Sequence, residues 1–169
     1  MEDAELIKKI NKKLKENDFR IFQNRDCCSC RTGSIINLND FTFQEIFDYV
    51  KEDCGFGNGE EEWDFIGDVK KAKELKNASP DWCEATQEDI DKYEDKKYEI
   101  FESLEASDIE IPICDYELIK VPEIDDIEYY EDYDGTDYNL VYIAQTPQKR
   151  EIYKSYLVYN IDRDDFEII

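Results

Sequence analysis

Residues 86–121 read TQEDIDKYEDKKYEIFESLEASDIEIPICDYELIKV, and within them the spacing of apolar residues changes from a helical period to a period of two. Taking Glu88 as origin at about 100° per residue, Ile90, Tyr93, Ile100, Phe101 and Leu104 fall between roughly 120° and 220°. That is one apolar stripe, interrupted only by Lys97. It predicts a helix over 87–105 with Thr86 as its N-cap. On the opposite side, between about −60° and +20°, lie Glu88, Asp91, Asp95, Glu99 and Glu102, a row of carboxylates about 21 Å long at 1.5 Å per residue. From Asp108 onward Ile109, Ile111 and Ile113 alternate with Glu110 and Pro112, and Leu118-Ile119-Lys120-Val121 continues the extended pattern.

Upstream of this junction the chain reads mostly as helix. Leu6, Ile7, Ile10 and Leu14 stand at helical spacing among five lysines, predicting a helix over 4–16. Phe19-Arg20-Ile21-Phe22 and Ser34-Ile35-Ile36 read as short strands. Asn39-Asp40 ahead of Phe43, Ile46, Phe47 and Val50 signals a helix that the glycines after Cys54 end. A third helix is expected over 60–76, its acidic start Glu60-Glu61-Glu62 suited to the positive helix end and its buried side formed by Trp63, Ile66, Val69 and Leu75. Ser79-Pro80 breaks the chain.

Downstream the chain reads mostly as strand. Asp134-Gly135 between Tyr129-Tyr130 and 138–143 predicts a hairpin. Thr146-Pro147 opens a short helix through Tyr153, or, as an equal alternative, residues 152–159 form a strand. Residues 166–169 form a final strand paired across the turn at 162–165. Tyr138, Tyr142, Tyr156 and Tyr159 are expected in the sheet core. Helices first and strands afterwards predict an α+β fold: one domain over 1–169, helix-rich over 1–106 and strand-rich over 107–169, with the helical half packed on a small, mostly antiparallel sheet.

The chain holds 44 Asp+Glu against 21 Lys+Arg, a formal net charge of −23. A solubility requirement is met by a magnitude of about 2–8, so the excess calls for another reason. Acidity concentrates toward the carboxyl side, where residues 105–137 carry thirteen carboxylates and one lysine. Long-range repulsion opposes binding to nucleic acid or to an anionic membrane, so the expected partner is a basic protein. No apolar stretch nears the roughly 20 residues of a membrane span and no signal-peptide pattern opens the chain, so a cytoplasmic protein is expected.

With no histidine in 169 residues, Ser-His and Cys-His mechanisms and His-ligated metals are excluded within this chain. No phosphate loop or nucleophile motif occurs, and no enzyme is expected. Cys27 and Cys30 form one C-x-x-C pair that two of Cys54, Cys83 and Cys114 could complete as a zinc site. A second close-spaced pair is missing, so the cysteines read as reduced thiols with no metal or cofactor. The alternating aspartates around Gly135 fail as a calcium loop, because Tyr130 and Val141 fall where that loop requires carboxylates.

The candidate partner-binding residues are the helical row Glu88, Asp91, Asp95, Glu99 and Glu102, and a downstream set in which acids and aromatics interleave. That set is Glu123, Asp125, Asp126, Glu128, Tyr129, Tyr130, Glu131, Asp132, Tyr133, Asp134 and Asp137. Carboxylates at such intervals coarsely repeat a phosphate track, and tyrosines are frequent interface anchors. In size, acidity and lack of catalytic motifs the whole chain resembles the phage and mobile-element inhibitors that imitate nucleic acid, the anti-restriction and anti-CRISPR proteins. The resemblance implies an inhibitor seated on the basic nucleic-acid channel of a host nuclease or its complex. Alternatives are an immunity protein that neutralises a basic toxin nuclease and a housekeeping interaction module with incidental acidity.

Overall fold

The computed structural model describes residues 2–24, 33–54, 59–112, 116–131, 137–143 and 156–169. The fold is α+β. In chain order the described elements are helix α1 (Asp3–Glu16), strands β1 (Phe19–Asn24) and β2 (Gly33–Asn37), and helices α2 (Phe43–Cys54), α3 (Val69–Ala78) and α4 (Gln87–Glu102). Strands β3 (Tyr116–Lys120), β4 (Tyr129–Glu131), β5 (Asp137–Tyr142), β6 (Leu157–Asn160) and β7 (Asp165–Ile168) follow. The chain divides into two compact units, Met1–Asn37 with Glu117–Ile169, and Leu38–Tyr116. The first 37 residues thus belong with the strand-rich end, where the sequence pattern grouped them with the helices.

In the first unit α1 buries Leu6, Ile10 and Leu14, one residue per turn. Asp3 and Glu5 lie at its positive end and Lys13 and Lys15 at its negative end, as the helix dipole favours. These three side chains share a core with Phe19, Ile21 and Ile35 of a three-stranded sheet ordered β2-β1-β3, and with Val141, Leu157 and Tyr159 of a four-stranded sheet ordered β4-β5-β6-β7. β1 and β2 pair antiparallel, Ile21 opposite Ile35. Every pairing in the second sheet is antiparallel. The expected hairpin is present as β4 and β5; its turn, 132–136, lies outside the described residues, as does the segment 146–153.

β6 is buried at all four positions, as an inner strand covered on both faces should be. Tyr159 is fully buried and Tyr156 packs against Leu140 and Val158. The β6–β7 turn carries Asp164 in the left-handed region, φ 55°, and is fastened to α1: the Asp164 carboxylate meets Lys9 Nζ at 2.8 Å and Lys13 Nζ at 3.4 Å and accepts the Tyr159 hydroxyl. Buried Asn160 accepts the amides of Asp162 and Arg163, each at 3.1 Å, so its polar side chain organises the same turn.

The second unit is built on aromatic packing. Phe43 and Phe47 of α2 each place a ring 4.9 Å from that of Phe101 in α4, and Phe65 lies edge-on to Phe47 at 5.5 Å. Two helices open on reciprocal caps. Thr42 and Glu45 exchange hydrogen bonds at α2, a nearer signal than Asn39-Asp40, which lie in a short 3-10 turn. Thr86 and Asp89 do the same at α4.

Three expectations fail here. The helix expected over 60–76 is instead a 3-10 turn, Glu62–Phe65, then a break, then α3. Gly67 makes the break: its amide donates to the Asp108 carbonyl at 2.6 Å, and a Cβ there would lie 2.9 Å from that oxygen. Asp68 then caps α3 by accepting the Lys71 amide at 3.1 Å. The break rotates the buried side, so Phe65 is in the core and Val69 is 81% exposed. α4 stops at Glu102 rather than 105, where the Ser103 hydroxyl turns back to the Ile100 carbonyl. Among the described residues the alternation over 109–112 yields an isolated bridge between Ile109 and Ile66, consistent with Pro112 lacking an amide to donate.

Candidate protein-binding surface

All five carboxylate residues of the α4 row are exposed, and the opposite side of the helix buries Tyr93, Ile100 and Phe101. Lys97, the one charge in the apolar stripe, is satisfied there: its Nζ meets Glu94 at 2.8 Å and Glu62 at 3.2 Å. Burial works against its charge, but the bonds to Glu94 and Glu62 outweigh that and hold the ammonium above its ordinary pKa. Glu62 also accepts the Tyr93 hydroxyl at 3.0 Å, and burial together with Glu62 pushes that phenol strongly upward. Lys96 is drawn to Glu74 of α3 at 2.5 Å, which raises the lysine and lowers the carboxyl.

Two of the three lysines of α4 are therefore engaged chiefly off the row. Within it, Glu88 meets Lys92 at 3.2 Å and Glu99 meets Lys96 at 3.6 Å. Asp91 accepts the Gln87 amide and Glu102 the Tyr98 hydroxyl, neutral donors that leave the negative charge in place. The last turn of α4 holds no base. Glu99 and Glu102 stand at the negative end of the helix dipole, a placement that costs helix stability. Its carbonyl end is served from another helix, by Lys71 of α3 donating to the Ser103 carbonyl at 3.0 Å.

The downstream set lies in the first unit. Glu123, Asp125, Asp126 and Glu128 are exposed on a stretch that is neither helix nor strand, and Tyr129 is 58% exposed at the start of β4. Asn11 of α1 fixes this stretch. Its side-chain amide donates to the Ile124 carbonyl at 2.8 Å and accepts the Ile124 amide at 2.9 Å, while Val121 and Ile124 insert into the core. Among the described residues only Glu123 of these four forms an ion pair, with Lys15 at 3.2 Å. Tyr130 and Glu131 belong to β4 and Asp137 begins β5, in a register that sets Glu131 opposite Asp137. Asp132, Tyr133 and Asp134 lie outside the described residues.

Of the cysteines, Cys83 is an exposed free thiol and Cys54 ends α2, while Cys27, Cys28, Cys30 and Cys114 lie outside the described residues. Among the described residues no three Cys, Asp or Glu side chains are placed to hold a metal ion, and no helix is long and apolar enough to cross a membrane.

Three features escaped the sequence pattern. Asn11 gave no signal because its partner is 113 residues away. Phe41 and Tyr98 are exposed aromatics, 42% and 65%, that line a groove of about 640 Å3 in the second unit together with Glu102 and Glu105. Tyr98 falls outside the apolar stripe, the one hint available beforehand. Comparison of the chain with protein-family models, with curated proteins and with solved structures finds no match in any of the three.

Proposed function

We propose that this chain is an acidic protein-binding inhibitor that occupies the basic nucleic-acid-binding surface of a nuclease or its complex. The observation that carries the reading is the placement of carboxylates where they oppose local stability. Glu99 and Glu102 crowd the negative end of α4 with no base in that turn. Acids placed against the helix dipole point to use by a partner, as does a net charge of −23. A row of carboxylates on a helix face presents basic side chains with charge at regular intervals, and steers a basic partner toward it from a distance.

Capture of partners by the tagged chain from the cell that expresses it, at about 50 mM and about 500 mM salt, tests this reading. The expected result is one nucleic-acid-binding protein, released by high salt and by competing nucleic acid. Changing Glu123, Asp125, Asp126, Glu128 and Glu131 to lysine is expected to abolish capture with the fold retained. Capture unchanged in that variant removes the downstream set from the interface, and a partner that nucleic acid does not displace contradicts mimicry.

A further inference from the structure

We propose that the groove at the carboxyl end of α4 takes arginine side chains from a basic segment of the partner, an inference that rests on the acidic-inhibitor reading and gives it a local anchor. The groove runs over a floor formed by buried Phe101 and Leu104, and its volume of about 640 Å3 lies in the range of sites that enclose a ligand or several side chains. Exposed rings of Phe41 and Tyr98 stand at its sides, and Glu102 and Glu105 supply two carboxylate side chains. No lysine or arginine lines it.

The chemistry of this lining selects among basic groups. A guanidinium is planar and weakly hydrated, so it stacks on an aromatic face while its fork of N–H donors engages a carboxylate; a lysine ammonium is a strongly hydrated point charge that does the first poorly. Tyr98 and Glu102 are already set for this on one face of α4. The Tyr98 hydroxyl donates to Glu102 Oε1 at 2.8 Å, which fixes ring and carboxylate side by side and leaves Oε2 to accept. Glu102 is also the last member of the carboxylate row, so a basic segment lying along Glu88–Glu102 reaches the groove at its end. Because Phe41 and Tyr98 are exposed and outside the core, a ring could be removed at either position without opening a cavity.

The test is titration of the full chain with nona-arginine, nona-lysine and nona-citrulline peptides, followed by nuclear magnetic resonance of the aromatic rings and by calorimetry. Nona-arginine is expected to bind most tightly and to shift the Phe41 and Tyr98 ring resonances saturably, with no binding by the uncharged citrulline peptide. Phe41→Ala with Tyr98→Ala is expected to weaken nona-arginine about tenfold and nona-lysine far less. Glu102→Gln keeps an acceptor for Tyr98 and is expected to weaken nona-arginine severalfold with an unchanged melting temperature. If nona-arginine affinity survives loss of both rings but falls in Asp91→Asn with Asp95→Asn, the groove is overturned and the acidic row stands. If no cationic peptide binds even at about 50 mM salt, both fall. Should the double variant fail to fold, the wild-type ring shifts decide: unshifted rings at saturation overturn the groove.

Discussion

In the second unit the carboxylates of α4 are spaced by the helix that carries them, whereas in the first unit Glu123 to Glu128 sit on an irregular stretch whose position depends on Asn11, Val121 and Ile124. The α4 row keeps its spacing under almost any surface substitution, because 1.5 Å per residue is a property of the backbone. The downstream set keeps its shape only while an asparagine side chain supplies a missing backbone partner. Groups of acids are thus held by local geometry in one place and by a contact across 113 residues in the other. In the first unit, loss of the Asn11 side chain moves acids without touching an acid.

The largest expected effect strikes the support of the regular row. Phe101→Ala removes the ring shared by Phe43 and Phe47 and is expected to cost about 3–5 kcal/mol in denaturant unfolding. Next comes the clamp. Asn11→Ala leaves the amide and carbonyl of Ile124 without their partner, an expected loss of about 2 kcal/mol. Hydrogen exchange at the Ile124 amide should accelerate while α4 amides stay protected; equal acceleration in both would break the contrast drawn here. Thr86→Ala removes the cap of α4 and is expected to cost about 1 kcal/mol.

The Asp164 turn gives a pH test. Lys9, with Lys13, holds this carboxyl below its ordinary pKa, so its contribution is present above the unfolded value of about 3.9 and is lost as pH falls through the lower folded value. Asparagine tolerates the left-handed backbone at this position, so Asp164→Asn isolates the charge. The difference in melting temperature between the two proteins should be constant from pH 7 to 5 and vanish toward pH 2. The smallest effect belongs to the row itself: Asp95→Asn is expected to change stability by no more than about 0.5 kcal/mol while slowing association with a basic partner in a salt-dependent way.

Where structure is dictated by residues within a turn or two of one another, the pattern was readable. α1, β1, β2 and the start of α4 lie where apolar spacing places them, and the Thr86 cap and both strands of the β4–β5 hairpin follow their local signals. The helix over 60–76 misled because Gly67 serves a carbonyl 41 positions away, which spacing cannot register. The alternation at 109–113 misled because a strand needs a neighbour to pair with, and its described residues form a single isolated bridge, Ile109 to Ile66.

By itself the amino-acid sequence determined the negative charge, the absence of histidine chemistry, the helical row of carboxylates and the α+β class, since these follow from composition and from periods of 3.6 and 2. Only the tertiary structure decided that residues 1–37 join the carboxyl-terminal strands, that Asn11 positions the downstream acids, and that Phe41 meets Tyr98 and Glu102 around one groove. The reason is physical: these arrangements are contacts between segments far apart along the chain, fixed by burial of shared apolar surface and by satisfying backbone groups that no neighbour in sequence can reach.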